Sequence, residues 1–349
     1  MDGQIWQHYV KTVAATFAGA LAAALVFIVA MNPYGNLPRL LPGRHVIMDS
    51  DQRFQYPSIA RSGRYDSAVF GTSSGRLLSP DLLQQAFGGT FTNLALNDGR
   101  AWEQYQLAQL YLRHNPAPKT IVFTLDWVWC TDRAAVERTR PNEFPEWLYD
   151  ENPWNDWQYV LNSRAIEISL RKLGYHLGFG KPRFPDNGFD VFVPPDATYD
   201  APKAHAKIVA ESRDAARVNA VPGAVDAASW QFPALAWLDD LFAKTPKSTR
   251  VLFAFMPAHV SVLPGAGSLE RGRLDACKAR VSELAARRGA PVVDFRFASP
   301  LTENYENFWD PLHYRLPIGG RIIAGMAAAQ TRPAVDQEGI WRRLTPTPN

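Results

Sequence analysis

The apolar positions of this chain follow two different patterns. No charged residue occurs between Lys11 and Arg39, and Thr12 to Met31 reads TVAATFAGALAAALVFIVAM. As a helix, that run is about 30 Å long, which matches the hydrocarbon core of a bilayer. A cleaved signal peptide and a buried core helix are the competing readings. The run is long for a signal, Met31-Asn32-Pro33-Tyr34 is a poor cleavage context, and no polar face marks a soluble helix. The pattern therefore predicts a membrane anchor over residues 1–32. Flanking charge says little about its orientation, because Lys11 is offset by Asp2, and Arg39 and Arg44 lie beyond the span.

From Tyr65 onward the pattern changes. Short apolar runs occur at Tyr65–Phe70 (YDSAVF), Phe91–Leu96 (FTNLAL), Thr120–Leu125 (TIVFTL), Val251–Met256 (VLFAFM) and Pro291–Phe295 (PVVDF). Such runs read as strands buried on both faces. Helical spacing is clearest at Ala101–His114, Trp230–Ala243, Ser268–Arg288 and Gly319–Gln330. Strands alternating with helices predict an α/β fold, a three-layer sandwich around a central parallel sheet. Residues 130–231 break the rhythm with Trp147, Trp154 and Trp157, an expected helix over Trp157–Leu173 and a proline-rich passage near residues 182–202. They read as an insertion between two strands. The Pro- and Gly-rich residues 33–60 read as a stalk leading to a domain that spans residues 61–349.

Composition narrows the function classes. Of 349 residues, 46% are hydrophobic, enough for a sizeable core, so wholesale disorder is excluded. The net charge is +3, spread without a basic stripe, and nucleic acid is not an expected partner. Two cysteines, Cys130 and Cys277, exclude a disulfide-stapled mini-fold and a Cys-rich zinc site. One disulfide or two free thiols both remain open. The sequence contains no HExxH, phosphate-binding loop or dinucleotide glycine motif, so neither a metal nor a nucleotide cofactor is expected.

Candidate chemistry sits where strands end, since ligands of open α/β sheets gather beyond the carboxyl ends of the strands. After the first strand, Gly71-Thr72-Ser73-Ser74-Gly75-Arg76 forms a turn that can expose a hydroxyl beside a backbone N–H. Near the C-terminus, Asn307-Phe308-Trp309-Asp310-Pro311-Leu312-His313-Tyr314 places a carboxylate three residues before an imidazole. Asp310 can there orient the His313 ring and leave its other nitrogen free as a base. Trp127 and Trp129 follow the third strand and are candidates for stacking on a sugar ring, with core packing as the alternative. His259, after the fourth strand, either lines the same pocket or lies in a surface loop. Asp126 either anchors its loop or meets substrate.

The serine turn and the Asp-x-x-His segment together resemble the SGNH (GDSL-type) hydrolase superfamily of esterases and acyltransferases. More narrowly, Gly71-Thr72-Ser73 resembles the membrane-anchored branch that includes alginate O-acetyltransferases and D-alanine-transfer proteins. The resemblance covers roughly residues 65–129 and 250–325 and implies a flavodoxin-like sheet. It also implies Ser73 as nucleophile, with Ser74 the alternative, His313 as base and then acid, and Asp310 as the orienting carboxylate. The oxyanion would rest on the N–H of Ser73 and on Gly99, with Asn97 nearby. The family's third block ends its strand with an asparagine that completes the oxyanion hole, whereas this chain has Leu125-Asp126-Trp127-Val128-Trp129. The function implied is O-acylation of an exported or cell-envelope polysaccharide. The branch also implies an inner-membrane location with the domain in the periplasm, and an integral-membrane acyltransferase as partner. The alternatives are an esterase or deacetylase that uses water, or a non-catalytic glycan-binding protein.

Overall fold

The computed structural model describes residues 2–37, 40, 45–139, 144–152, 156–219, 221–223, 225–331 and 336–346. The chain divides into two compact units: Met1–Ser58 with Pro145–Asp186, and Ile59–Phe144 with Asn187–Asn349. The segment expected as one insertion is thus shared between them, with residues 130–144 and 187–231 belonging to the larger unit.

The larger unit is α/β. Its sheet is built from β1 (Ser67–Phe70), β2 (Phe91–Asn93), β3 (Thr120–Leu125), β4 (Arg250–Phe255), β5 (Val292–Asp294) and β6 (Arg342–Arg343). Their order is β2-β1-β3-β4-β5-β6, and every neighbouring pair is parallel except β5 and β6. The alternation of each strand explains why the runs are apolar throughout. Val69, Val122, Leu252 and Val293 join the core that includes Leu83 of the helix Pro80–Phe87 and Ile322 of the helix Leu316–Ala328. The opposite face carries Phe70, Phe123 and Phe253, stacked at 5.8 and 5.5 Å between ring centroids. Tyr111 of the helix Ala101–His114 packs edge-on against Phe70, and Phe242 of the helix Ala234–Lys244 against Phe253. Both faces are therefore covered, the situation that gives unbroken apolar strands.

The five expected strands form, and β6 is an addition. Its two arginines carry no apolar signal. Arg342 is instead held electrostatically, because the wholly buried Asp294 accepts from both Lys278 and Arg342 at 2.8 Å. The helix expected over residues 157–173 is broken into Trp157–Val160 and Ser163–His176, because Asn162 caps the second piece by accepting from Ala165 N–H at 2.8 Å. Cys130 and Cys277 form a disulfide that joins the turn after β3 to the helix Leu269–Ala286. The direction of chain crossover reverses between β1 and β3, so the carboxyl ends of these two strands flank the crevice where such folds place a site.

The smaller unit begins with the helix Asp2–Met31, which from Gly3 on is long and apolar enough to cross a membrane. The residues expected as a stalk are not a bare linker. They contain the helix Gln52–Ala60, and Tyr34 is buried against Phe54 and Trp147. Trp147 also stacks on Tyr159 at 5.5 Å, so it is packed within this unit. Trp154 and the Trp157 side chain lie outside the described residues.

Candidate active site

The turn after β1 owes its shape to two missing side chains. A Cβ on Gly71 would lie 1.7 Å from Thr124 Oγ1, and one on Gly75 would lie 2.2 Å from the same atom. Thr124 of β3 is itself held by donating to Phe70 O at 3.0 Å. Only glycine lets the backbone pass this close, and the short helix Ser73–Arg76 starts at once behind it. The Asn93 carboxamide, at the end of β2, binds the far side of the turn. It donates to Gly75 O at 3.0 Å and Leu78 O at 2.9 Å while accepting from Ala95 N–H at 3.1 Å. Thr72 donates its hydroxyl to Asp126, which also accepts from Val128 N–H at 3.1 Å. Asp126 is thus the anchor of its loop. Burial raises its pKa, opposed by the Thr72 hydrogen bond and the Arg296 charge.

Ser73 and His313, 240 residues apart, meet at 2.8 Å between Oγ and Nε2. The other ring nitrogen, Nδ1, lies 2.8 Å from Asp310 Oδ2 and 2.9 Å from Oδ1. Asp310 also accepts from the backbone N–H groups of Leu312 and His313, each at 2.9 Å. Burial by itself would raise the Asp310 pKa. The contacts from His313 and Leu312, with Lys207 nearby, outweigh it and bring the carboxyl down to about 2. An ionised Asp310 can only accept, so Nδ1 carries the hydrogen and donates it in the hydrogen bond, and Nε2 presents its lone pair to the Ser73 hydroxyl. Ser74 does not share this geometry; its carbonyl instead accepts from the buried Tyr314 hydroxyl at 2.5 Å.

The loop that carries Asp310 and His313 is closed on itself, with Trp309 N–H bonded to His313 O at 2.9 Å. It is braced by residues 190–199. Phe192 meets the His313 ring edge-on at 5.2 Å. Behind Phe192, the Arg76 guanidinium lies 4.8 Å from the ring centroid and pairs with Asp190 at 2.7 Å. Arg315 pairs with Asp196 at 2.5 Å and covers the Tyr199 ring at 4.0 Å. Asp190 and Phe192 belong to no recognisable motif, and nothing in the apolar run that holds Asn93 or in the serine turn that ends at Arg76 marks the partners these two side chains find.

The remaining candidates separate. Trp127 is 48% exposed beneath the Arg100 guanidinium, and with Arg296, Pro311 and Leu312 it lines a cleft of about 570 Å³. That cleft therefore adjoins the Asp-x-x-His loop. Trp129 is not a surface for stacking: it is 1% exposed and donates Nε1–H to Gln104 at 3.0 Å. His259 is not a surface residue. It is wholly buried, 4.3 Å from the Tyr305 ring centroid, with Nδ1 2.7 Å from Ser261 Oγ; burial and His205 lower its pKa. Gly99 N–H donates to Leu96 O at 3.2 Å, closing a turn in which Asp98 has a φ of 46°. That bond withdraws the Gly99 amide from the oxyanion role expected of it. Asn97 is half-buried in the same turn. Among the described residues, no group of three His, Cys, Asp or Glu side chains is placed to hold a metal ion.

No protein-family model and no curated protein matches this chain.

The Asp310 contacts make stability pH-dependent in a defined direction. The folded carboxyl is held below its ordinary value, so its contribution is complete above about pH 4 and is lost as pH falls through about 2. Asp310→Asn should lower the denaturation midpoint at neutral pH, and its gap from the wild type should close on acidification. Urea melts across that range measure it; a gap independent of pH would show that Asp310 is not held ionised by its neighbours.

Proposed function

We propose that this chain is a serine acyl-transferring enzyme of the SGNH type. The observation that supports this reading is the continuous Ser73–His313–Asp310 hydrogen-bonded array at the carboxyl end of β1. In the proposed cycle, Ser73 Oγ attacks an ester carbonyl while its proton passes to His313 Nε2, and Asp310 stabilises the resulting imidazolium. Collapse of the tetrahedral intermediate breaks the ester bond. His313 returns the proton to the departing alcohol, and the acyl group stays on Ser73. An acceptor hydroxyl then gives its proton to His313, attacks the acyl-serine and frees Ser73, which is reprotonated.

The oxyanion rests in this scheme on the Ser73 N–H. Ser73 is the first residue of the helix Ser73–Arg76, so its amide has no intrahelical acceptor, and the scheme gives that amide to the oxyanion. The loss of one oxyanion donor slows turnover by about 10²–10³, and water, a small and poorly positioned acceptor, gains nothing in compensation. A sugar hydroxyl held in the cleft beside Pro311 and Leu312 does, because positioning replaces part of the lost stabilisation. Half-exposed Trp127 gives that cleft an aromatic wall suited to a pyranose face. The acceptor we propose is accordingly a cell-envelope or exported glycan. The acyl group would be supplied through an integral-membrane acyltransferase partner, as the family resemblance implies. The same resemblance puts the domain outside the cytoplasm on the inner membrane. The Cys130–Cys277 disulfide supports that location, since such bonds persist in oxidising compartments.

Three outcomes test the proposal. A fluorophosphonate probe should label Ser73, and Ser73→Ala or His313→Ala should lower ester turnover by at least about 10³-fold. Unchanged labelling of Ser73→Ala would falsify the assignment of the nucleophile. With an activated acetyl ester, added oligosaccharide should gain acetyl groups faster than free acetate appears; equal acetate release with and without sugar, and no acetylated product by mass spectrometry, leaves an esterase. Protein alkylated in intact cells before lysis should carry the Cys130–Cys277 bond, whereas two alkylated thiols would put the domain in a reducing compartment.

A further inference from the structure

The smaller unit exposes an apolar stripe that its own core does not explain. The helix Ser163–His176 already buries one face, with Ala165, Ile168, Ser169 and Lys172 enclosed. On a second face, Ile166, Leu170 and the capping Leu177 recur at helical spacing and are exposed, Leu170 at 55%. Phe179, just beyond, is 87% exposed. Exposed apolar side chains in a contiguous stripe mark a contact surface.

What covers the stripe follows from where the helix is fastened. It packs against Asp2–Met31, the apolar N-terminal helix. The attachment is at the end of that helix, where the buried Lys172 Nζ donates to Asn32 O at 2.7 Å. Near this end Ile28 and Asn32 are enclosed by protein, while Phe17, farther back, is exposed. A helix is only about 10 Å across. The outer side of Ser163–His176 at Lys172 is thus about one helix diameter from the end of the apolar span. Lys181 and Arg183, exposed beside Phe179, add positive charge at the edge of the stripe, where Arg171 is paired with Glu167 at 2.6 Å. An apolar face rimmed by cations at the end of a membrane span has the composition of an interfacial helix.

We infer that Ile166, Leu170, Leu177 and Phe179 form a lipid-contact surface that beds into the headgroup region of the same bilayer the N-terminal helix crosses, with Lys181 and Arg183 against anionic lipid phosphates. The inference rests on that helix being a membrane span. Such a surface fixes the tilt of the smaller unit on the membrane, which a single span leaves free to swivel.

Both native cysteines are in the disulfide, so an introduced cysteine in the oxidised protein is the one reactive thiol. Leu170→Cys, Phe179→Cys, Phe17→Cys and Val136→Cys are made in the full chain, labelled with an environment-sensitive nitrobenzoxadiazole and reconstituted into phosphatidylethanolamine–phosphatidylglycerol vesicles with or without brominated acyl chains. The labels at positions 170 and 179 should shift to the blue and lose about half their emission to bromolipid, as a depth of 5–10 Å allows. The label at position 17 should be quenched within the span, and that at exposed Val136 should remain bright. Quenching at position 17 without quenching at 170 and 179 overturns the lipid surface and leaves the anchor standing. No quenching at position 17 removes the anchor itself. Equal quenching at position 136 removes the specificity of the claim, and quenching at 170 and 179 that appears only when membrane proteins are added transfers the surface to a protein partner.

Discussion

The site depends on how closely the backbone after β1 passes Thr124 of β3. Gly71 and Gly75 both lie where any Cβ would overlap the Thr124 hydroxyl. This contact compresses the turn so that Ser73 emerges immediately beyond the strand, at the reversal of crossover direction in the sheet. A larger residue at either position would push the turn outward, and the Ser73 hydroxyl would leave hydrogen-bond range of His313. Asn93 holds the same turn from the β2 side through two carbonyls. The serine is therefore placed by three adjacent strands rather than by its own loop.

The histidine is placed from elsewhere in the chain. Asp310 and His313 occupy a loop that closes on its own backbone, so their mutual geometry is local and cheap to maintain. Their position relative to Ser73 is a tertiary matter. It is set by Tyr314 bonding to Ser74 O, by Phe192 against the imidazole, and by Arg76 behind Phe192. Arg76 is enclosed and belongs to the same short helix as Ser73, so its pair with Asp190 connects the serine turn to the brace behind the histidine. In the proposed mechanism this rigidity keeps Oγ and Nε2 in contact before substrate arrives, which reduces the reorganisation left to the reaction.

The smaller unit applies the same principle to a different end. Lys172, a cation taken out of water, is kept there by the Asn32 carbonyl and His45. A buried ammonium without such partners would be strongly unfavourable, so the attachment of Ser163–His176 to the end of the apolar helix is specific. Tyr34, Phe54, Trp147 and Tyr159 pack around that junction. Residues that read as a stalk thereby become part of a folded collar on the N-terminal helix.

The sequence by itself determined the features that arise from local pattern. Long uncharged runs favour a helix with nowhere polar to face, continuous apolar strands favour a sheet covered on both sides, and Asp-x-x-His brings a carboxylate within reach of its own imidazole. It also made the serine turn recognisable, because glycine spacing records the close approach that requires it. Tertiary structure alone decided which side chains meet across long separations. Trp127 and Trp129 are two residues apart, yet one faces a cleft and the other is buried on Gln104. Gly99 has the look of an available donor, yet its amide is bonded within a turn, and the loop residue His259 is buried against the Tyr305 ring rather than exposed. The partners of Asn93, Arg76 and Phe192 left no trace in the pattern, because burial and hydrogen-bond partnership belong to pairs of distant residues, and periodicity reports only on neighbours along the chain.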